Sequence, residues 1–90
     1  MENIQSLLEF RRWRLHLKKL SPIAPEKLIK ILKKQGFEEI RQRGSHKFLR
    51  DMEGRTTVIP FHKGEKIGRG LLSKILKDIG MTRDEFLELL

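Results

Sequence analysis

The hydrophobic pattern of the chain changes period twice, and that change constrains its fold more than any other feature. Between Pro25 and Gly36 the apolar residues Leu28, Ile29, Ile31 and Leu32 fall on one side of a helix. From Phe37 to Phe61 the helical spacing gives way to short runs punctuated by Gly44-Ser45 and by Asp51-Met52-Glu53-Gly54. The last run, Arg55-Thr56-Thr57-Val58-Ile59-Pro60-Phe61, is rich in β-branched residues, and Pro60 fits a strand end or an edge. Helical spacing then returns through Leu71, Leu72, Ile75, Leu76 and Ile79 to a stop at Gly80. The pattern predicts strands over about 37–43, 46–50 and 55–61, joined as an antiparallel meander. Strands grouped together with helices beside them indicate an α+β fold, a three-stranded antiparallel sheet packed on one face by helices.

Two further helices complete the expected order. Thr82 followed by Glu85 is a capping box that opens a final short helix carrying Phe86, Leu87, Leu89 and Leu90. At the other end Phe10, Trp13, Leu17 and Leu20 share a helical face, which predicts an extra N-terminal helix over about 3–19. Ile4, Leu8 and Leu15 fall on a different side of it, so an ordinary packing helix ranks first and a dimer contact or a poorly ordered extension stays open. The prolines at 22 and 25 make the clearest break in the chain. The expected organisation is an N-terminal helical extension over 1–20 and one small domain over 21–90.

With no cysteine, the chain can form neither a disulfide framework nor a thiolate metal site, and a cytoplasmic location is the default. No run approaches the roughly 18 to 20 apolar residues of a membrane span, and Arg11, Arg12 and Arg14 interrupt any signal-peptide core. The chain is expected to be neither exported nor embedded in a membrane.

Charge narrows the class of partner. Twenty Lys and Arg against twelve Asp and Glu give +8, and residues 41–77 alone hold ten basic and three acidic residues. Such a surface favours phosphate polymers through counterion release, although a solvated face or a network of ion pairs adapted to heat has the same composition. Arg41, Arg43, Lys47, Arg50, Lys63, Lys66, Arg69 and Lys74 are the candidate RNA-binding cations, joined by His62.

The chemistry turns on His46, which follows Gly44-Ser45 amid Arg41, Arg43, Lys47 and Arg50. Three histidines at 16, 46 and 62 lie in separate elements and the acids are scattered, so no metal site and no cofactor are expected. Gly68-Arg69-Gly70 is too short for a nucleotide-binding loop, though the helix start it precedes could hold a backbone phosphate with Lys66 and Arg69. Ser45 beside His46 is a poor nucleophile candidate, because neighbouring strand residues point apart.

RNA, however, brings its own nucleophile, the 2′-hydroxyl. A protein need only move protons and neutralise the phosphorane, which histidine and arginine or lysine can do. His62, at the end of the third strand, is placed to approach His46 across the sheet. On residues alone two readings remain, a metal-free general acid or base and a partly exposed polar residue after a turn. Strict alternation puts His46 on the same side as Phe48, so either that end of the sheet is uncovered or the pleat breaks at the turn.

Leu28 to Phe37, then Arg41-Gln42-Arg43-Gly44-Ser45-His46, then Val58-Ile59-Pro60-Phe61-His62, then Ile67 to Leu76 resemble the HicA toxin family of bacterial and archaeal toxin-antitoxin systems. The resemblance covers roughly residues 21–90, and Gly-Ser-His after a strand is its most specific element. It implies a double-stranded-RNA-binding-domain-like fold and an mRNA interferase, an endoribonuclease that arrests growth and is held in check by a HicB-like antitoxin protein. The family's catalytic histidine matches His46 and the glycine before it Gly44; Gly44 and Ser45 then form the turn that places the catalytic residue. Residues 1–20 depart from the family pattern. The alternative from another class is a non-catalytic RNA-binding module, which would bind in a salt-dependent way without cutting. A third is a protein-interaction domain with a basic face.

Overall fold

The computed structural model of the protein describes Leu7, Glu9, Trp13 and residues 18–90. Its elements are α1 (Pro25–Lys34), β1 (Glu38–Arg43), β2 (His46–Arg50), β3 (Thr56–Pro60), α2 (Arg69–Asp78) and α3 (Arg83–Glu88). The helix expected over about 3–19 falls almost wholly outside the described residues. Leu7, Glu9 and Trp13 are helical and exposed.

Helix α1 starts on Pro25, whose fixed φ suits a first helical residue and whose missing N–H needs no cap. Glu26 in its first turn and Lys33 and Lys34 in its last complement the helix dipole. Both α1 and α2 end in the same way. The amides of Gly36 and Phe37 reach back to the carbonyls of Lys33 and Leu32, and those of Gly80 and Met81 to Lys77 and Leu76, two Schellman motifs. The Thr82 and Glu85 capping box is present at α3 with both reciprocal bonds at 3.1 Å.

The three strands form an antiparallel sheet in the order β1-β2-β3, as the turn residues imply. Leu49 pairs with Thr57 and Lys47 with Ile59, and these residues face the helices. Leu49 and Ile59 are wholly buried against Leu28 and Leu32 of α1, Leu72, Ile75 and Leu76 of α2, and Phe86 of α3. Burying each such side chain contributes roughly 1.5–3 kcal/mol. Leu71, expected on the buried side of α2, is instead exposed, as the neighbours Leu72, Ile75 and Ile79 already fill the contact.

Two polar links hold the layers in register. Ile23 and Ile67 exchange backbone hydrogen bonds of 3.0 and 2.7 Å, joining the approach to α1 with the approach to α2. The buried Thr57 hydroxyl donates to Asp78 Oδ2 at 3.2 Å, so the polar atom that β3 sends into the core is satisfied by α2.

The second face of the sheet carries no described helix. His46, Phe48 and Arg50 alternate with the buried side of β2, and their partners on β3 are Pro60, Val58 and Thr56. On β1 an irregularity between Glu39 and Arg41 inserts Ile40 as an extra residue. A regular ladder would have turned Arg41 and Arg43 toward the helices. The bulge shifts the register by one, so Arg41 pairs with Phe48 and Arg43 with His46 on the open face.

Candidate active site

His46 owes its position to a two-residue turn. Gly44 adopts φ +57° and Ser45 a negative φ, the backbone of a type II′ hairpin turn whose first position favours glycine. A Cβ at Gly44 would meet nothing within 4 Å, so the requirement is conformational, not steric. Gln42 Nε2 donates to the Gly44 carbonyl at 3.0 Å and braces the turn. His46 is then the first residue of β2, between Arg43 on β1 and Pro60 on β3, and its side chain is exposed.

The pairing continues one step past β3. The Phe61 amide donates to the Ser45 carbonyl at 2.6 Å, which carries His62 to the same corner. Ser45 Oγ and His62 Nε2 lie 3.3 Å apart, within hydrogen-bond reach. The rings of His46 and His62 stand edge to face, with centroids 6.4 Å apart and planes at 81°. The approach across the sheet expected from the sequence is thus present. Among the described residues no three His, Asp or Glu side chains gather where they could hold a metal ion.

The candidate cations divide between two faces. Arg41 and Arg43 flank the open face, with the Arg41 guanidinium 4.2 Å from the Phe48 ring centre. Arg50 is on that face at the far end of β2, where its Nε donates to Thr56 Oγ1 at 3.3 Å. Lys47 turns the other way. Its ammonium sits 4.2 Å from the Phe61 ring centre and 3.9 Å from Glu39 Oε1, on the helix side. Lys74 belongs to the helix layer and pairs with Asp78 at 3.2 Å, sharing the oxygen that Thr57 uses. Lys63 and Lys66 are exposed in the loop after β3, and Arg69 is exposed as the first residue of α2.

The clearest electrostatic perturbation is at the opposite end of the sheet. Burial pushes the Asp51 carboxyl up, but the side-chain and backbone hydrogen bonds of Arg55, its charge and the Glu53 amide outweigh this and hold it below the ordinary range. The Arg55 Nε contact is 2.7 Å and its amide contact 2.8 Å. This cluster shapes the β2–β3 turn.

With this geometry established, comparison with known proteins identifies the lineage. The family model described as HicA toxin of bacterial toxin-antitoxin matches residues 25–81. The chain is also similar to the "Probable mRNA interferase HicA" of Pseudomonas fluorescens (strain Pf0-1), 34% identical over 73 residues that cover 81% of this chain and 90% of that protein. The chain belongs to the HicA toxin family. All the candidate residues lie inside the matched region, whereas residues 1–24 and α3 lie outside it.

The chain also has a basic groove on the helix side of the sheet. Lys30, Lys33 and Lys34 of α1 join Lys47 around a recess of about 500 Å³ floored by Ile29 and Phe61. Lys33 and Lys34 sit in the last turn of α1, where cations complement the helix dipole, and Lys30 lies one turn earlier. That Lys47 points toward them depends on which sheet face α1 covers, and alternation leaves that undetermined.

Proposed function

We propose that this HicA toxin is an endoribonuclease that cuts mRNA by metal-free acid-base chemistry at His46, and that it is the toxin of a toxin-antitoxin pair. The observation that carries this reading is the pair of exposed imidazoles, 6.4 Å apart, at the edge of a face lined by Arg41 and Arg43. The naming of its Pseudomonas relative as a probable mRNA interferase supports the same substrate. The helix, three-strand, helix order, with helices on one face, supports a double-stranded-RNA-binding-domain-like fold over residues 21–90, and we read residues 1–20 as an added helical extension.

In this reading a neutral imidazole accepts the 2′-hydroxyl proton as the oxygen attacks the adjacent phosphorus. The bond from phosphorus to the 5′-oxygen breaks, and the protonated imidazole of the pair gives that oxygen its proton. His46 is one carrier and His62 the other. Arg43, paired with His46 across β1 and β2, and Arg41 beyond it offset the charge that builds on the phosphorane. The products are a 2′,3′-cyclic phosphate and a 5′-hydroxyl. Arg50, Lys63, Lys66 and Arg69, with Lys47 and Lys74 on the helix side, hold phosphates farther along the strand.

A HicB-like antitoxin protein would restrain the enzyme by covering the His46 face with acidic groups, in the cytoplasm where mRNA is met. Purified protein is expected to cut RNA in excess EDTA, to spare an all-deoxy strand and to lose cleavage in His46→Ala with the fold intact. RNA bound but never cut would instead favour the non-catalytic binding module.

A further inference from the structure

We propose that the open face of the sheet is a platform for single-stranded RNA, on which one nucleobase stacks against Phe48 beside the two histidines. This rests on the ribonuclease reading of that face and specifies the form of substrate it takes.

Phe48 is the residue that points there. The core is closed on the other side of the sheet by Leu49 and Ile59, while Phe48 stands half-buried on a face that no described helix covers. Its cross-strand neighbours are Arg41 and Val58, and His46 is two residues away along β2 on the same side. Two strand residues span about 7 Å, comparable with one nucleotide of an extended strand. The guanidinium of Arg41, a planar cation 4.2 Å from the ring centre, already occupies a stacking position. A base takes that place when RNA binds, and Arg41 moves from the ring to a phosphate.

The surrounding charge fits a phosphate chain. Arg41, Arg43 and Arg50 lie on this face and Glu38 is the one acid paired among them. A duplex would make poor use of the strip, because its bases are already stacked and its readers contact phosphates and 2′-hydroxyls by shape. The chemistry favours the same form, since attack in line by a 2′-oxygen on its own phosphate needs a nucleotide released from A-form geometry. Aromatic side chains that accept unstacked bases are the usual means of holding such strands.

The test uses the full chain and a short fluorescent 2′-O-methyl strand, which cannot be cut because its nucleophile is blocked. Anisotropy compares this strand with its blunt duplex for wild type, Phe48→Leu and Arg41→Gln. The single strand is expected to bind more tightly than the duplex, and Phe48→Leu to weaken it roughly tenfold without changing the salt dependence. Arg41→Gln is expected to reduce the slope of log affinity against log salt by about 0.7, one phosphate contact on a single strand. Spectra of wild type with labelled phenylalanine rings give a reading independent of any variant's folding. The Phe48 ring protons move upfield with the single strand and stay in place with the duplex.

Tighter duplex binding, or a Phe48 ring unmoved by the single strand, overturns the platform. Cleavage by wild type and His46→Ala, measured alongside, separates the two readings. His46-dependent cleavage with an unmoved Phe48 ring rejects the platform alone; an upfield shift without cleavage rejects the ribonuclease reading and leaves the platform standing.

Discussion

Ser45 Oγ lies 3.3 Å from His62 Nε2, so the turn that positions His46 also anchors the ring beside it. One residue therefore serves both candidate proton carriers, one through its backbone and one through its hydroxyl. In Ser45→Ala the turn survives, because its geometry depends on Gly44, but the His62 ring loses its anchor. Cleavage is expected to fall severalfold through kcat with KM little changed. Unfolding free energy should shift by no more than about 0.5 kcal/mol, as for surface changes in general.

His62→Gln removes the imidazole and keeps a polar side chain at the corner. The rate is expected to drop by roughly 10²-fold or more, the usual share of one general acid or base. A rate unchanged in folded His62→Gln would remove His62 from the chemistry.

Gly44→Ala tests the turn. A methyl group would meet no neighbour, so the cost is that of holding an L-residue in a backbone conformation that glycine alone adopts readily, about 1–3 kcal/mol. Denaturant titration should register this loss. Because His46 hangs from this turn, cleavage should fall more in Gly44→Ala than stability alone explains.

The Asp51 cluster predicts how stability depends on pH. The folded-state value of its carboxyl lies below the ordinary 3.8, so its contribution is complete above that value and is lost as pH falls through the folded one. Its side chain is 6% exposed and accepts from the amides of Glu53 and Arg55 and from Arg55 Nε. Asp51→Asn should be less stable at neutral pH and should lose less of its stability on acidification than wild type. Parallel acid-denaturation curves would contradict this.

Much of the fold could be read from the sequence because local signals agreed with one another. Pro25, Gly36, the Gly44-Ser45 turn and the Thr82 capping box each mark a boundary by backbone chemistry, and the strands and helices begin and end within a residue or two of those marks. The facing of the residues was harder to read. A period of two sorts residues into two sets, but tertiary packing decides which set the helices cover, so Phe48 read as core while it lies on the open face with Arg41 over its ring. The same ambiguity concealed that Lys47 lies on the helix side. Ile40 left no mark as a bulge, although its insertion is what turns Arg41 and Arg43 toward Phe48 and His46. The approach of His46 and His62 across the sheet was readable, because both follow from strand ends, but the contact of the Ser45 hydroxyl with His62 was not.

The central claim, that His46 promotes attack by the RNA's own 2′-hydroxyl, is tested most directly by the ends of the cut strands. Mass spectrometry of a defined RNA cleaved by the purified protein in excess EDTA should find a 2′,3′-cyclic phosphate on one product and a 5′-hydroxyl on the other, with neither formed by folded His46→Ala. Products ending in a 3′-hydroxyl and a 5′-phosphate, or the same cyclic product from His46→Ala at the wild-type rate, would contradict it.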